Sequence, residues 1–465
     1  MSPALNRMDR PWWRWGAVCA VAWLLWASGA SAERPATNVA VGKAAYAQHC
    51  ARCHGDAGKG DGSYGKRLYP KPRDLTAGVY KFRSTASGTP PTDEDLFRTV
   101  THGLNAGGMP DWPHLDEAIR WQLVAYLKTL STAFTEQAPQ PVDLGRDPGL
   151  KHVDLSHGRQ VYEQLGCAAC HGASGRANGT SAAGLVDDWN QAIRPADLRY
   201  GWSYRGGSDP RAIATRILTG ISGAPMPSYA EAMKPEDVWP LAYYVQSLQQ
   251  GPRWTMLAHV PQVAALPASL EEAGWNAAQR VDLRMRLVAN AQGEVTAPST
   301  VTLVSVWAVT DGRQLAVRLQ WHDPSEHRSE SADAMAVALR PTGVLGDRVS
   351  LQYWPLRDSP PLDLCVWSAA HSEYAVEGLV KRYEPLLPPS TQGLSLPAHA
   401  RYDDGVWTVM LTRPLEPAQP VGAAQLTSAR VAPMAVVVWD GGNPGQRAVS
   451  GWLDLMLGDT TGGRQ

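Results

Sequence analysis

Two Cys-x-x-Cys-His pentapeptides, at residues 50–54 and 167–171, contain four of the six cysteines of this chain. In this pattern the two thiols form thioether bonds to a haem, and the histidine gives the iron its proximal nitrogen ligand. The predicted attachment and ligand residues are Cys50, Cys53 and His54 in the first motif and Cys167, Cys170 and His171 in the second. A disulfide within each pair, or half of a zinc site, would leave both histidines without a role. The motifs therefore predict two haem c groups.

A methionine followed by proline lies at the same distance beyond each motif. Met109 and Met226 each stand 56 positions after the second cysteine of their motif. Thioether sulfur favours ferrous iron, and two strong axial ligands leave no open coordination position for a substrate. We predict that Met109 and Met226 are the sixth ligands, and that the chemistry is electron transfer with no catalytic residues.

Other side chains could compete for the iron. Met233 lies in a segment predicted as helix, outside the Met-Pro loop, and is expected to pack in the core. His102 and His114 could supply a bis-histidine site in the first unit, but the second unit has no histidine at the matching places. We therefore predict that these two histidines are surface or hydrogen-bonding residues.

An internal repeat supplies the elements that must position these ligands. Residues 42–46 and 158–162 are predicted as amphipathic helices that lead into the haem motifs. Residues 119–127 and 238–245 show apolar positions at helical spacing, and we expect these closing helices to pack across the first ones. Residues 38–133 and 150–250 resemble two class I cytochrome c domains, a family whose fold is a small helical wrap around one haem.

Proline-rich stretches separate three units, at residues 138–149 and 251–267. The third unit, residues 268–460, contains alternating apolar runs at 301–309, 314–321, 405–411 and 432–439, with a hairpin turn at Asp311-Gly312. The predicted fold class is multidomain: two all-α class I cytochrome c domains followed by a mainly-β sandwich domain.

The N-terminus has the pattern of an export signal. Arginines at 7, 10 and 14 precede an apolar run at 15–27, and Ala30-Ser31-Ala32 supplies the small residues of a cleavage site. We predict a signal peptide over residues 1–32 and a periplasmic protein, with an uncleaved anchor as the alternative and no later spanning helix. Removal of this segment changes the formal net charge from −1 to −3, which gives no support to nucleic-acid binding.

The third unit resembles the haem b subunit of the ethylbenzene dehydrogenase type, found with complex molybdenum enzymes. The residues that carry the resemblance are Trp321–Asp323, Asp333–Val337, Asp404–Trp407, Val438–Gly441 and Ala448–Trp452. In that family a methionine and a lysine hold haem b, and here Leu345 and Arg447 stand in their places. Leucine has no donor atom and arginine has no free lone pair. The resemblance thus implies a docking module that has lost its haem b.

Several residues of the third unit could replace the missing haem b ligands. These are Met335, Met410, Met434, His322, His371 and Lys381, the only lysine beyond residue 254. Met410 and Met434 have the pattern of interior strand residues, for which packing is the expected role. Cys365 is expected to be a buried small hydrophobic residue.

Together these features predict a periplasmic dihaem cytochrome c that relays single electrons. The partners would be a molybdenum oxidoreductase of the dimethyl sulfoxide reductase type and a soluble cytochrome or a membrane, quinone-linked complex. Segments 72–76, 81–84 and 91–96 also resemble cytochromes that accompany molybdenum oxidoreductases. This resemblance rests on loop residues that have no chemistry of their own. The alternatives are a dihaem enzyme, such as a peroxidase or a thiosulfate-oxidising cytochrome, and a redox-sensing ligand-binding protein.

Overall fold

The structure is a computed structural model that describes residues 36–457. The gaps within this range are 105–107, 289–293, 296, 299, 330, 341–360, 381–392, 419–422, 427–430 and 443–446. Three predictions lie outside the described residues: the signal peptide over 1–32, Leu345 at the place of the haem b methionine, and Lys381.

The first unit is helical. Its helices are α1 (Val39–His49), α2 (Ala51–His54), α3 (Asp93–His102), α4 (Glu117–Lys128) and α5 (Ala133–Glu136). Helix α1 begins where the Asn38 side chain accepts a hydrogen bond from the Val41 backbone. Helix α3 begins with a capping box, in which Thr92 and Asp95 each accept from the other's backbone N–H. These caps fix the helix starts on either side of the first haem motif.

The second unit repeats the first. Its helices are α6 (Leu155–Gln164), α7 (Cys167–His171), α8 (Pro210–Thr219) and α9 (Val238–Ser247). Helix α1 crosses α4 in the first unit, and α6 crosses α9 in the second, each at a glycine of the first helix. A Cβ atom on Gly42 would lie 2.0 Å from the carbonyl oxygen of Gln122, and one on Gly158 would lie 2.1 Å from that of Pro240. In each unit the backbones of the two crossing helices are therefore in close contact, as the predicted helix crossing requires.

The third unit is a β structure of twelve described strands. They are β1 (Leu257–Val260), β2 (Val281–Val288), β3 (Leu303–Thr310), β4 (Gln314–His322), β5 (Ala334–Leu339), β6 (Leu362–Ser368), β7 (His371–Val380), β8 (Leu394–Asp403), β9 (Val406–Pro414), β10 (Val431–Trp439), β11 (Arg447–Ser450) and β12 (Leu453–Leu457). The antiparallel ladder runs from β11 through β2, β3, β4, β9, β8, β7 and β6 to β5, and closes because β10 pairs with both β5 and β11.

This architecture confirms the predicted fold class of two helical cytochrome c domains followed by a mainly-β unit. The β3–β4 pair forms the predicted hairpin around Asp311-Gly312. The closure of the ladder through β10 was not predicted, because the alternation of apolar residues within a strand does not show which edge strands pair. The boundaries at 38–133, 150–250 and 268–460 stay predictions.

Three buried tryptophans pack together at one end of the β unit. Trp321, Trp367 and Trp407 each lie one residue from the end of a strand, with ring centroids 5.2 to 6.4 Å apart. Such contacts bury large apolar surfaces and favour tilted ring pairs. The cluster packs the ends of β4, β6 and β9 together on the side that meets the second haem unit.

Substitution of Gly158 by alanine should destabilise the second unit. The added methyl group would overlap the Pro240 carbonyl of α9, and relief of such a clash costs about 1–3 kcal/mol. We expect a lower midpoint of thermal unfolding, measured by far-ultraviolet circular dichroism. Gly251→Ala is the matched control, because a Cβ atom there meets no atom within 4 Å. Equal midpoints for the two variants would contradict the close crossing.

Candidate haem-binding site

The first motif opens onto a cleft with about 1310 Å³ of empty volume. Cys50 follows α1, Cys53 and His54 lie on α2, and Met109 comes from the loop after α3. All four predicted residues line this one cleft. Most of its other lining side chains are apolar, among them Leu68, Leu75, Tyr80, Leu96, Val100 and Leu127.

The second motif opens onto a matching cleft with about 1270 Å³ of empty volume. Cys167, Cys170 and His171 lie on α7, and Met226 comes from the loop after α8. The apolar lining includes Leu185, Ile193, Leu198, Ile213, Ile217 and Leu241. The structure thus brings each predicted set of four residues together, and an apolar pocket with two thiols, an imidazole and a thioether fits a covalently attached haem.

The two motif histidines have the same surroundings. His54 Nδ1 lies 3.2 Å from the Arg73 carbonyl oxygen, and His171 Nδ1 lies 2.9 Å from that of Ala196. Burial lowers the pKa of both imidazoles, which favours the neutral ring. A neutral ring that donates its Nδ1–H to a carbonyl presents the lone pair of Nε2 for a metal.

A tyrosine hydroxyl fixes each motif turn. Tyr46 donates to the Gly55 carbonyl at 2.8 Å, and Tyr162 donates to the Gly172 carbonyl at 2.7 Å. Both tyrosines are 1% exposed. Each hydroxyl therefore ties the helix before the motif to the residue directly after its histidine.

The two Met-Pro loops are held by equivalent backbone hydrogen bonds. The Leu104 backbone N–H donates to the Met109 carbonyl at 3.1 Å, and the Ile221 N–H donates to the Met226 carbonyl at 3.0 Å. Both methionines are half-buried. Because the backbone of each loop is tied back on itself, each thioether is held at its cleft.

The competing side chains lie elsewhere. Met233 is 9% exposed and packs in the core of the second unit, at a bend and not on the predicted helix, because the next helical turn begins only at Pro235. His102 and His114 are exposed and are absent from the described lining of the first cleft. His49, which was not singled out from the sequence, lines that cleft and packs against Trp112 with ring centroids 5.1 Å apart.

The two clefts share a wall. Phe82 from the first unit and Arg205 from the second line both of them. Beside this pair, Arg73 Nη2 and Lys81 Nζ lie 3.6 and 3.5 Å from the buried Asp187 carboxylate. Sequence patterns gave these residues no role, since Phe82 and Arg205 belong to different copies of the repeat and meet only in the folded chain.

Reciprocal arginine contacts hold this wall together. Arg83, 1% exposed, donates from Nη2 to the Thr219 carbonyl at 3.2 Å. Arg216 donates from Nη1 to the Lys81 carbonyl at 2.9 Å, and its guanidinium lies 5.2 Å from the centroid of the Phe82 ring. Each unit therefore inserts a cation into the other.

Among the described residues of the third unit, those considered for haem b do not lie together at one site. Met335 and Met434 are fully buried in its main core, and Met410 packs near Trp275. His371 is exposed, and Arg447 is a buried residue at the start of β11. His322 lines a polar cavity beside the second haem unit, where burial lowers its pKa to about 4. Cys365 is a fully buried core residue, as expected.

Comparisons with known proteins match both haem units. Residues 37–127 match the family model for subunit III of cbb3-type cytochrome c oxidase, and residues 155–249 match the model for cytochrome c. The chain is similar to the cbb3-type oxidase subunit CcoP of Azospirillum brasilense, with 26% identity over 220 residues that cover 46% of this chain. It is also similar to subunit FixP of Azorhizobium caulinodans, with 28% identity over 215 residues and 46% of this chain covered.

The matches with these relatives are partial. The chain spans 63% of the Azospirillum subunit and 60% of the Azorhizobium subunit, less than two thirds of either. Among solved structures it resembles a chain of the Kuenenia stuttgartiensis reducing HAO-like protein complex. That likeness has 41% identity and a TM-score of 0.43, and it covers 45% of this chain and 96% of the matched one. In the described residues, no helix has the length and apolarity that would let it cross a bilayer.

The tandem motifs, the two matched clefts and the two family models lead to one conclusion. The chain contains two cytochrome c domains, which imply two haem c groups, and it is therefore a dihaem cytochrome c.

Replacement of Met109 by alanine should open the first cleft to an external ligand. Without the thioether the sixth position has no protein ligand, so we expect carbon monoxide to bind reduced protein at one haem per chain, measured from the visible spectrum. Met226→Ala should do the same at the second haem. Met233→Ala is the control and should bind no more than the unaltered protein. Carbon monoxide binding by the unaltered protein at neutral pH would contradict the ligand assignment.

Proposed function

We propose that this chain is the electron-transfer subunit of a periplasmic redox complex, with Met109 and Met226 as the sixth ligands of its haem c groups. It relays single electrons between a molybdenum oxidoreductase of the dimethyl sulfoxide reductase type and a cytochrome or membrane acceptor. The β unit is its docking module. The observation that supports the proposed electron relay is the wall formed by Phe82 and Arg205, which line both clefts.

Haem iron supplies a one-electron change between its ferric and ferrous states. The chain's own residues set the conditions for that change. The apolar clefts exclude water, and the paired histidine and methionine ligands keep both coordination positions filled. Filled coordination favours a relay over the alternative of a dihaem enzyme, which needs an open iron site.

The cations at the shared wall are a second influence on the one-electron change of the haem iron. Burial lowers the pKa of Arg205 to about 10, and repulsion from Arg73 adds to this effect. Burial and Arg73 also lower the pKa of Lys81 to about 8, although Asp187 partly offsets the shift. Buried cations that repel each other are stabilised by an anion between them, and the propionate carboxylates of haem are such anions. We therefore assign Arg205, Arg73 and Lys81 to the anionic edges of the two cofactors.

The proposed partner rests on the third unit. The segments at 321–323, 333–337 and 438–441, which resemble the haem b subunit of molybdenum enzymes, lie at the end of the β unit nearest the second haem unit. There Arg176 forms an ion pair of 2.8 Å with Asp404, and Asn178 donates to the same carboxylate at 3.1 Å. These contacts connect the β unit to the loop that follows His171, which supports a docking module beside the second cofactor.

Arg205→Gln should lower the reduction potentials of both haem groups. A cation stabilises the form with the extra electron, and its removal costs on the order of 1 kcal/mol at an effective dielectric constant of about 20, which is tens of millivolts. Spectroelectrochemical titration measures both potentials. Arg211→Gln, an exposed position on the same helix as Arg216, is the control. A shift confined to one haem would show that Arg205 belongs to one cleft only.

The β unit should contain no haem b. Acid-acetone extraction of the mature protein removes non-covalent haem, while thioether-linked haem stays with the chain. We expect a pyridine haemochrome spectrum with two haem groups per chain before and after extraction. An additional extractable haem would contradict the loss of the haem b ligands and would direct mutagenesis to Met335 and Lys381.

The partner is tested by purification of the tagged chain from its native host without detergent. We expect molybdenum, measured by mass spectrometry of the eluate, in a fixed ratio to haem c, together with a catalytic subunit. Gly251→Ala protein serves as a matched bait with a neutral change. Elution with membrane oxidase subunits and no molybdenum would reject the molybdenum partner while leaving the relay intact.

A further inference from the structure

Three ionisable side chains lie inside the β unit, and none of them lines a haem cleft. Asp363 belongs to β6, Glu377 to β7 and Arg413 to β9. All three are 0% exposed, although charged residues are rarely buried completely. Cys365, also 0% exposed, is the β6 residue directly opposite Glu377. We call Asp363, Glu377 and Arg413 the interior triad.

The guanidinium of Arg413 contacts one oxygen of each carboxyl group. Its Nε and Nη2 donate to Glu377 Oε1 at 3.1 and 2.6 Å, and Nη2 lies 3.5 Å from Asp363 Oδ2. Nη2 also donates to the Ala424 carbonyl at 3.0 Å, and the Ala424 backbone N–H donates to Asp363 Oδ2 at 2.8 Å. One oxygen of each carboxyl group is therefore satisfied by the protein.

The other oxygen of each carboxyl group has no such partner. Glu377 Oε2 and Asp363 Oδ1 are buried and accept no hydrogen bond from any described residue, so Arg413 reaches neither of them. The two carboxyl groups are close enough to form a hydrogen bond to each other. Two carboxylates cannot do so, because each offers only acceptors, whereas a protonated carboxyl group donates its O–H. A single proton between the two groups would satisfy both free oxygens.

The strands around the interior triad bring no compensating charge. The residues paired with the triad on neighbouring strands are apolar apart from Cys365: Leu339 on β5, Leu379 on β7, Leu394 on β8 and Leu315 on β4. Within the described part of the chain, Arg413 is the sole cation that forms an ion pair with either carboxyl group. Two ionised carboxylates and one guanidinium would leave one negative charge uncompensated, and burial of such a charge is unfavourable. One bound proton makes the triad neutral.

The pKa shifts of the buried acids agree with this charge count. Burial raises the pKa of Glu377, and the charge of Asp363 adds to the rise, while Arg413 partly offsets it. Burial also raises the pKa of Asp363, although the Ala424 N–H and Arg413 oppose this shift. Burial raises the pKa of the Cys365 thiol, which therefore stays un-ionised beside the triad.

We propose that Glu377 and Asp363 share one bound proton, and that this proton makes the β unit a pH-sensitive module. A carboxyl group that binds its proton more tightly in the folded chain than in the unfolded chain stabilises the fold at low pH. This contribution is lost as the pH rises through the raised pKa of the folded state. The lost proton leaves an uncompensated charge between β6, β7 and β9, none of which lines a haem cleft. The inference does not depend on the molybdenum partner.

The test uses the full mature chain with both haem groups attached. Infrared difference spectra between about pH 5 and about pH 9 detect un-ionised carboxyl groups by their C=O stretch. We expect Glu377→Gln and Asp363→Asn each to lack the band of one carboxyl group that the unaltered chain shows. Either substitution leaves the remaining carboxylate ionised and balanced by Arg413. Glu373→Gln is the matched control and should keep the band, because Glu373 is an exposed residue of the same strand as Glu377.

Thermal unfolding gives a second measurement, which keeps the test decisive if Asp363→Asn fails to fold. Glu377→Gln preserves the shape of the side chain, and its amide can donate an N–H to Asp363 in place of the proton. We expect the unfolding midpoint of the unaltered chain to fall between about pH 5 and about pH 9, and to fall less in Glu377→Gln, with haem spectra unchanged in both.

Three results would overturn the shared proton. One is an infrared band that persists in folded Asp363→Asn, since Glu377 would then be protonated through burial alone. Another is a Glu377→Gln spectrum equal to that of Glu373→Gln. The third is a midpoint that falls with pH as steeply in Glu377→Gln as in Glu373→Gln.

Discussion

The reciprocal insertion of Arg83 and Arg216 across the boundary between the haem units is the contact on which the arrangement of both clefts depends. A buried guanidinium must find acceptors for its N–H groups, and here each of these two arginines takes a carbonyl from the other unit. These hydrogen bonds fix the geometry of the boundary, where Phe82 and Arg205 lie between the two cofactor clefts.

Within each unit the chain uses one set of local devices twice. A tyrosine hydroxyl on the motif turn, a carbonyl on the histidine Nδ1 and a backbone bridge in the methionine loop recur with nearly the same distances. The copies differ where they meet. Phe82 comes from one and Arg205 from the other, so the repeat has diverged into two complementary halves of one wall.

The sequence made the candidate ligand sets predictable because attachment chemistry fixes the Cys-x-x-Cys-His spacing, and the repeat then pointed to Met109 and Met226 at equal distances. Helices and strands followed from apolar periodicity, which is a local property. The shared wall could not be predicted, because Phe82 and Arg205 are far apart in the chain, and segment 81–84, which contains Phe82, implied no chemistry. The helix assigned to Met233 was wrong because a bend precedes Pro235.

The wall common to both clefts has a thermodynamic consequence. When the haem of one cleft gains an electron, the electrostatic potential at the other cleft becomes more negative, because only one layer of side chains separates the two clefts. The two one-electron equilibria are then linked, and by reciprocity each reduction disfavours the other by the same free energy. Such negative cooperativity separates the reduction potentials of two haem groups that have similar ligands and surroundings. Two copies of one domain therefore give two centres of different driving force.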